Sequence, residues 1–222
     1  MKILNLFILF VTVLVSINGI AQKSKSFVGY ISYDIKTLGE VEPAMAAQLP
    51  TENLVYFNGA KTRIEQKSAM GSTVIISNIE TKEQIVLIDI MGQKYALKSS
   101  KEETENAQSQ IPKGTVTMGT ETKTIAGYNC KKADFTQDGK TSAIWITDEI
   151  NLNNSNWQTQ YKDVEGVMLE YNQITGQEGE INLLITAKEV KKEKVKDSMF
   201  TVPAGYQEMS LTEFKKMFGG GQ

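Results

Sequence analysis

Residues 73–98 read TVIISNIETKEQIVLIDIMGQKYALK. Three short apolar runs, 73–77, 85–90 and 94–98, are separated by turn-forming residues and are rich in β-branched side chains, so the segment predicts three β-strands. The connections are too short for a parallel crossover, which makes neighbouring strands antiparallel. An antiparallel sheet with one wet face alternates apolar and polar side chains, yet Val74-Ile75-Ile76 and Ile85-Val86-Leu87-Ile88 are apolar at consecutive positions. These strands need cover on both faces.

The same texture extends outward. Upstream, FVGYISYDI (27–35) places Phe27, Gly29, Ile31, Tyr33 and Ile35 at a spacing of two, the strand period. Strands at 54–57 and 61–66 flank Asn58-Gly59, the pair that a two-residue type I′ hairpin favours. EPAMAAQLP (42–50), with Pro43 at the first helical position and Pro50 as a stop, predicts one or two turns of helix. Downstream, SSKEETENAQSQ (99–110) has Ala107 as its only apolar side chain and reads as a solvated loop or a frayed surface helix. Strand texture resumes at Thr115, runs through Tyr128 and Phe135, and turns at Asp138-Gly139 into 141–147. Asp134 and Asp138 flank that turn without the ligand spacing of a calcium loop. NLNNSNWQTQ (151–160) is polar apart from Leu152 and Trp157, and its formal Asn153-Asn154-Ser155 sequon is given no weight. Strands at 167–174 and 181–190, separated by Gly176 and Gly179, close the sheet. Ile144-Trp145-Ile146 and Val167-Met168-Leu169 again lack alternation.

The C-terminal segment specifies a helix. Ser210-Leu211-Thr212-Glu213 is a capping box, Met209 and Phe214 are spaced for a hydrophobic staple, and Gly219 is the stop. Leu211, Phe214 and Phe218 share one face of a helix too short to stand alone, so that face should dock on the domain.

At the other end, Met1 and Lys2 precede the apolar run ILNLFILFVTVLVSI (3–17) and the small-residue pattern Gly19-Ile20-Ala21, which together read as a secretory signal peptide, 1–21, cut before Gln22. Residue 22 is not the cysteine of a lipid-anchored protein, and the run falls short of the ~20 apolar residues of a spanning helix. Of 222 residues, 22–222 form one expected domain. The chain has no histidine, one cysteine, 24 basic and 26 acidic residues, for a net charge of -2. A histidine-dependent triad, a histidine-ligated zinc and an internal disulfide are therefore excluded, and there is no basic field for nucleic acid. The carboxylate pairs Asp148-Glu149 and Glu178 with Glu180 lie in polar turn segments, and Cys130 has no histidine to act as its base and reads as a small buried hydrophobe. No catalytic, cofactor or metal residue is assigned, and the chain reads as non-enzymatic.

The expected fold is mainly β (α+β): a single curved antiparallel sheet of roughly ten strands with short helices. A β-sandwich or a closed up-and-down barrel is the alternative. Cover for the two-sided strands comes from the helices and loops, from a second sheet, or from an apolar molecule held inside a curved sheet. Two short helical segments offer little area, which favours the cavity. Met45, Met209 and Met217 are adaptable side chains suited to a lid.

The segment Ile125-Ala126-Gly127-Tyr128-Asn129-Cys130-Lys131-Lys132-Ala133, followed by Ile144-Trp145-Ile146-Thr147, resembles the signature of an exported Gram-negative family known as domain of unknown function 4412. Tyr56-Phe57-Asn58-Gly59, Gly166-Val167-Met168-Leu169-Glu170-Tyr171 and Phe200-Thr201-Val202-Pro203-Ala204-Gly205-Tyr206 extend the match. That family is in turn similar to the LolA-like periplasmic lipoprotein carriers, and the resemblance implies a half-open barrel closed by short helices around an apolar cavity.

The functional expectation is a soluble, monomeric periplasmic carrier that holds a lipid, acyl chain or other hydrophobic small molecule. Tyr33, Tyr56, Tyr95, Trp145 and Tyr171 each join an apolar body to a polar tip suited to a cavity mouth. Ile31, Met45, Leu49, Leu54 and Ile144 are expected in the lining, with Leu169, Leu183, Phe214 and Phe218. The alternative is a cell-envelope interaction or assembly factor with a filled core, which would engage a protein partner through 99–110 or the tail 219–222.

Overall fold

A computed structural model describes residues 26–90, 92–152, 155–175 and 181–218. The expected signal peptide 1–21, Asn153 and Asn154 of the sequon, Glu178, Glu180 and the tail 219–222 lie outside the described residues.

Two antiparallel meanders make one sheet. The first runs β1 (Val28–Leu38), β2 (Glu52–Asn58), β3 (Lys61–Ser68), β4 (Gly71–Asn78), β5 (Gln84–Ile90) and β6 (Gln93–Ser99), with the short helix α1 (Pro43–Ala46) after β1. Helix α2 (Lys101–Ser109) leads to the second meander: β7 (Thr115–Ile125), β8 (Tyr128–Gln137), β9 (Lys140–Thr147), β10 (Val167–Thr175) and β11 (Ile181–Lys192). A 3₁₀ turn at Asp197–Phe200 precedes β12 (Gln207–Ser210) and helix α3 (Leu211–Phe218). The order is β12-β6-β5-β4-β3-β2-β1-β11-β10-β9-β8-β7, an open sheet of twelve strands rather than roughly ten. It is neither a sandwich nor a closed barrel. The described strands pair antiparallel except β12, which lies parallel to β6.

Short hairpins set most of this order. Ala126-Gly127 and Asp138-Gly139 take positive φ at both positions, the type I′ pattern. The β2–β3 turn is displaced by one residue from expectation: Asn58 pairs with Lys61, so Gly59 and Ala60 are central. Only Gly59 has positive φ, the type II′ pattern, because glycine rather than asparagine occupies the first central position.

The meanders join at one place, the ladder from Gly29 opposite Lys192 to Leu38 opposite Asn182. A Cβ on Gly29 would collide with the Lys191 carbonyl oxygen, so the two backbones approach as closely as glycine alone permits.

Irregular chain closes both faces. On the rear of the first meander, 193–206 lays Val195 and Phe200 over Val74, Ile76, Leu87 and Ala96. Asn58 Nδ2 donates to Val195 O (3.2 Å) and Arg63 Nη1 to Met199 O (2.8 Å), fixing that strap. On the front of the second meander, the β9–β10 connection sends Tyr161 and Val164 onto Ala133, Phe135, Ile144, Ile146 and Met168. Tyr161 lies 4.6 Å from the Phe135 ring and 5.6 Å from that of Tyr171, which meets Tyr33 at 6.2 Å. Its hydroxyl donates to Asn172 O. On the rear, β7 curls back to meet β11, and Lys123 reaches Glu170 at 2.7 Å. The segment 151–160, read as polar, thus includes buried Leu152, Asn156 and Trp157.

The helices are minor, and α2 and α3 carry capping boxes while α1 has no side-chain cap. Segment 99–110 contains a regular helix, because Ser100 and Glu103 form a capping box. In α3, Ser210 N–H and Oγ–H donate to one Glu213 carboxylate oxygen (2.7 and 2.8 Å), and Glu213 N–H donates back to Ser210 Oγ (3.1 Å). Phe214 meets the Tyr95 ring at 5.7 Å.

Two outcomes follow. Gly29→Ala forces a Cβ into the Lys191 carbonyl and should cost about 1–3 kcal/mol, read as a lower urea midpoint. The bonds from Ser210 hold the Glu213 carboxyl below its usual range. Its contribution is therefore complete above the ordinary carboxylate pKa and lost as pH falls through the lowered value. The protection factors of amides 211–214, corrected for the slower intrinsic exchange at low pH, should fall on acidification before those of β4 and β5, and simultaneous loss would contradict the cap's role.

Candidate functional site

The expected lining residues do not surround one cavity. Ile31, Tyr33, Leu169 and Leu183 are buried in one core cluster, against which Leu49, Trp145 and Tyr171 pack. Ile144 lies in a second cluster beneath Tyr161. Tyr56 packs on the rear-face cluster, and Leu54 beside it borders a shallow depression shared with Tyr30 and Lys191. Tyr95 and Phe214 meet at the far edge. Met45 sits on α1, 38% exposed. The Phe218 side chain lies outside the described residues.

What the fold leaves open on the front of the first meander is a cleft of about 270 Å³ between the segment after α1 and the β3–β4 hairpin. Gln66, Thr73 and Ile88 lie in register on β3, β4 and β5 and contribute to its wall. Gln48 and Pro50 face them, and Met70, 44% exposed, stands at the hairpin tip. The hairpin and the α1 segment are tied by Ala69 N–H donating to Ala47 O (3.2 Å). Gln66 Nε2 donates to Oδ1 of buried Asn53 (2.8 Å), so this wall carries an ordered amide pair.

The adjacent row on the same face decides the character of the cleft. Ile31, Val55, Ile64, Ile75, Val86 and Leu97 lie opposite one another across six strands. Its ends, Ile31 and Leu97, are buried, while Val55, Ile64, Ile75 and Val86 are only half-buried. An apolar stripe two residues along from the cleft therefore keeps part of its surface in contact with water. The consecutive apolar residues Val74-Ile75-Ile76 reported the need for cover but not which face would be under-covered.

Several ionisable groups elsewhere are held by burial or by ties between strands. Burial pushes the phenols of Tyr33 and Tyr171 up, and Tyr33 donates to Met168 O (3.1 Å). Burial likewise raises the Cys130 thiol, which leaves it protonated and a poor nucleophile at neutral pH. Lys123 pairs with Glu170, stands 4.1 Å over the Trp145 ring, and shares Glu170 with the Thr186 hydroxyl (3.3 Å). This set ties β7, β9, β10 and β11 together. Among the described residues, no cluster of acidic, cysteine or histidine side chains is arranged to hold a metal ion. No helix among them is long and apolar enough to cross a membrane.

No curated protein sequence matches the chain. Two solved structures share its fold. The structure of PNGF-II in space group C2 is 18% identical with a TM-score of 0.51, the match covering 88% of this chain and 33% of that one. The same protein in space group P21 is 19% identical with a TM-score of 0.52, over 88% and 34% of the two chains. The chain thus spans about a third of PNGF-II, and the likeness is one of fold. The description "Domain of unknown function (DUF4412)" matches residues 39–206, from the end of β1 to the end of the strap, and the chain belongs to that family.

Proposed function

We propose that this is an exported, non-enzymatic binding or carrier protein of the Gram-negative periplasm, which takes one apolar chain, such as a lipid acyl chain, into the front-face cleft. The half-open barrel of the LolA-like carriers is the architecture this reading adopts, with the twelve-strand open sheet as the curved wall, and with the strap, the β9–β10 connection and the segment after α1 as its cover.

The observation that carries the proposal is the half-buried row Ile64, Ile75 and Val86 beside a cleft walled by Pro50, Met70 and Ile88. Exposed Met70 is an adaptable side chain at the cleft. The volume of about 270 Å³ lies just below the range of ~300–1,000 Å³ usual for small-molecule sites, which suits one short chain rather than a whole lipid. Burial at about 0.8 kcal/mol per methylene would give eight methylenes a gross gain of about 6 kcal/mol, offset by ordering. That favours reversible holding.

A second reading, a cell-envelope interaction or assembly factor with a filled core, draws support from the core clusters closed by the chain's own connections. Cross-linking in the envelope that recovers one specific protein, together with no ligand uptake, would favour it.

Titration of the mature protein with a dansylated undecanoic acid tests the leading proposal. Saturable binding is expected, weakened about tenfold or more by Thr73→Phe or Met70→Asp at an unchanged melting temperature. No uptake, or uptake indifferent to both variants, would overturn it. The export reading predicts that N-terminal sequencing of the protein from the periplasm begins at Gln22.

A further inference from the structure

The ladder between β9 and β10 is incomplete. Their register covers only Trp145, Ile146 and Thr147 against Glu170, Met168 and Val167, yet β9 begins at Lys140 and β10 runs on to Thr175. Beyond Trp145 the strands diverge, and a cleft of about 560 Å³ lies between their free portions.

Gln137 and Lys140 close a two-residue hairpin, so they exchange hydrogen bonds, and residues along β9 then alternate between facing β8 and facing away. Lys140, Ser142 and Ile144 direct N–H and C=O toward β8, while Thr141 and Ala143 direct theirs into the cleft. The same parity puts Trp145 and Thr147 on the edge that does pair with β10. On the other lip, Asn172 O accepts the Tyr161 hydroxyl, which places Asn172 and, two residues on, Ile174 on the cleft side. Thr141, Ala143 and Ile174 are exposed, Ile174 by 46%. Among the described residues, no backbone group pairs with the Thr141 and Ala143 edge.

An unpaired strand edge inside a sheet is a template for another strand. We propose that the β9 lip is a β-augmentation site that accepts a short extended segment of another protein, hydrogen-bonded to Thr141 and Ala143. The lining favours a neutral polar segment, because Ser142 and Gln160 contribute a hydroxyl and an amide, Gln137 and Asn182 add amides that each already hold one bond, to Pro112 O and from Asn172 Nδ2, and Asp138 and Lys140 at the rim offset one another in charge. Tyr161 keeps the opposite lip engaged through Asn172, so the guest adds to β9. This site is separate from the acyl-chain cleft, and either stands without the other.

Backbone amide exchange of the full chain tests it, with the peptide acetyl-TVTNVT-amide as probe. In the free protein, Thr141 and Ala143 amides should exchange rapidly while Ser142 and Ile144 are protected; protection of all four would overturn the assignment. Millimolar peptide should slow Thr141 and Ala143 by about tenfold, and the same peptide N-methylated at alternate residues should not. Ala143→Pro removes an N–H that makes no ladder bond, so it should fold with an unchanged melting temperature and lose the Thr141 protection. No protection by the peptide, or equal protection by its N-methylated form, would overturn the proposal. Protection that instead rises with protein concentration alone, alongside dimer formation, would assign the edge to a second copy and overturn the foreign-segment reading.

Discussion

The ladder between β1 and β11 is the constraint on which the rest of this structure depends. Each meander is built from local hairpins and forms its own pairs, but a sheet of twelve strands exists only because the first strand meets the eleventh. That pairing joins residues far apart in the chain and carries a large loop-closure cost, which the packing of Ile31, Tyr33, Leu183 and Ile185 in one cluster helps to offset. Gly29 permits the close approach at one end of the ladder, and an irregularity between Ser32 and Tyr33 absorbs a residue of β11. With the joint made, the front rows of both halves become one surface.

Cover for that surface comes from chain with little regular structure. The connection 148–166 is anchored at several points: Phe27 N–H donates to Asn151 O (2.9 Å), Gln108 Nε2 to Trp157 O (3.0 Å), and Lys82 stands 4.5 Å over the Trp157 ring. Its Tyr161 then takes its place in the chain of rings from Tyr33 to Phe135. A shortage of helix therefore does not translate into an empty barrel. The connections and the strap fill most of both faces, and the half-buried stripe at Ile64, Ile75 and Val86 marks where filling stops. The proposed binding cleft and the proposed strand-accepting edge both lie where the chain's own cover or pairing ends.

Much of the sheet was legible from local signals. Strand runs around 73–98 and 27–35, the Asp138-Gly139 turn and the Ser210 capping box are all specified by neighbours in sequence. Glycine at the first central position of the β2–β3 turn moved that hairpin by one residue, and Gly127 held the signal for the turn that divides β7 from β8. Ser100 and Glu103 carried the capping signature of α2, although the segment's polarity obscured it. Other features had no local signature. The four-residue β12 is a strand because it meets the free edge of β6, and Ile150, Leu152, Tyr161 and Val164 of the β9–β10 connection are buried because they find partners on distant strands. The candidate site belongs to this second kind. Gln66, Met70, Thr73 and Ile88 are unremarkable in sequence and become a wall only when α1 is tied across the hairpin.

The most direct measurement is the anomalous diffraction of bromine in crystals of the mature protein grown with a terminally brominated fatty acid. One bromine peak is expected between Pro50 and Ile88, with the chain lying along Thr73 toward Ile75. A peak elsewhere on the sheet, or none under saturating acid, would contradict this placement.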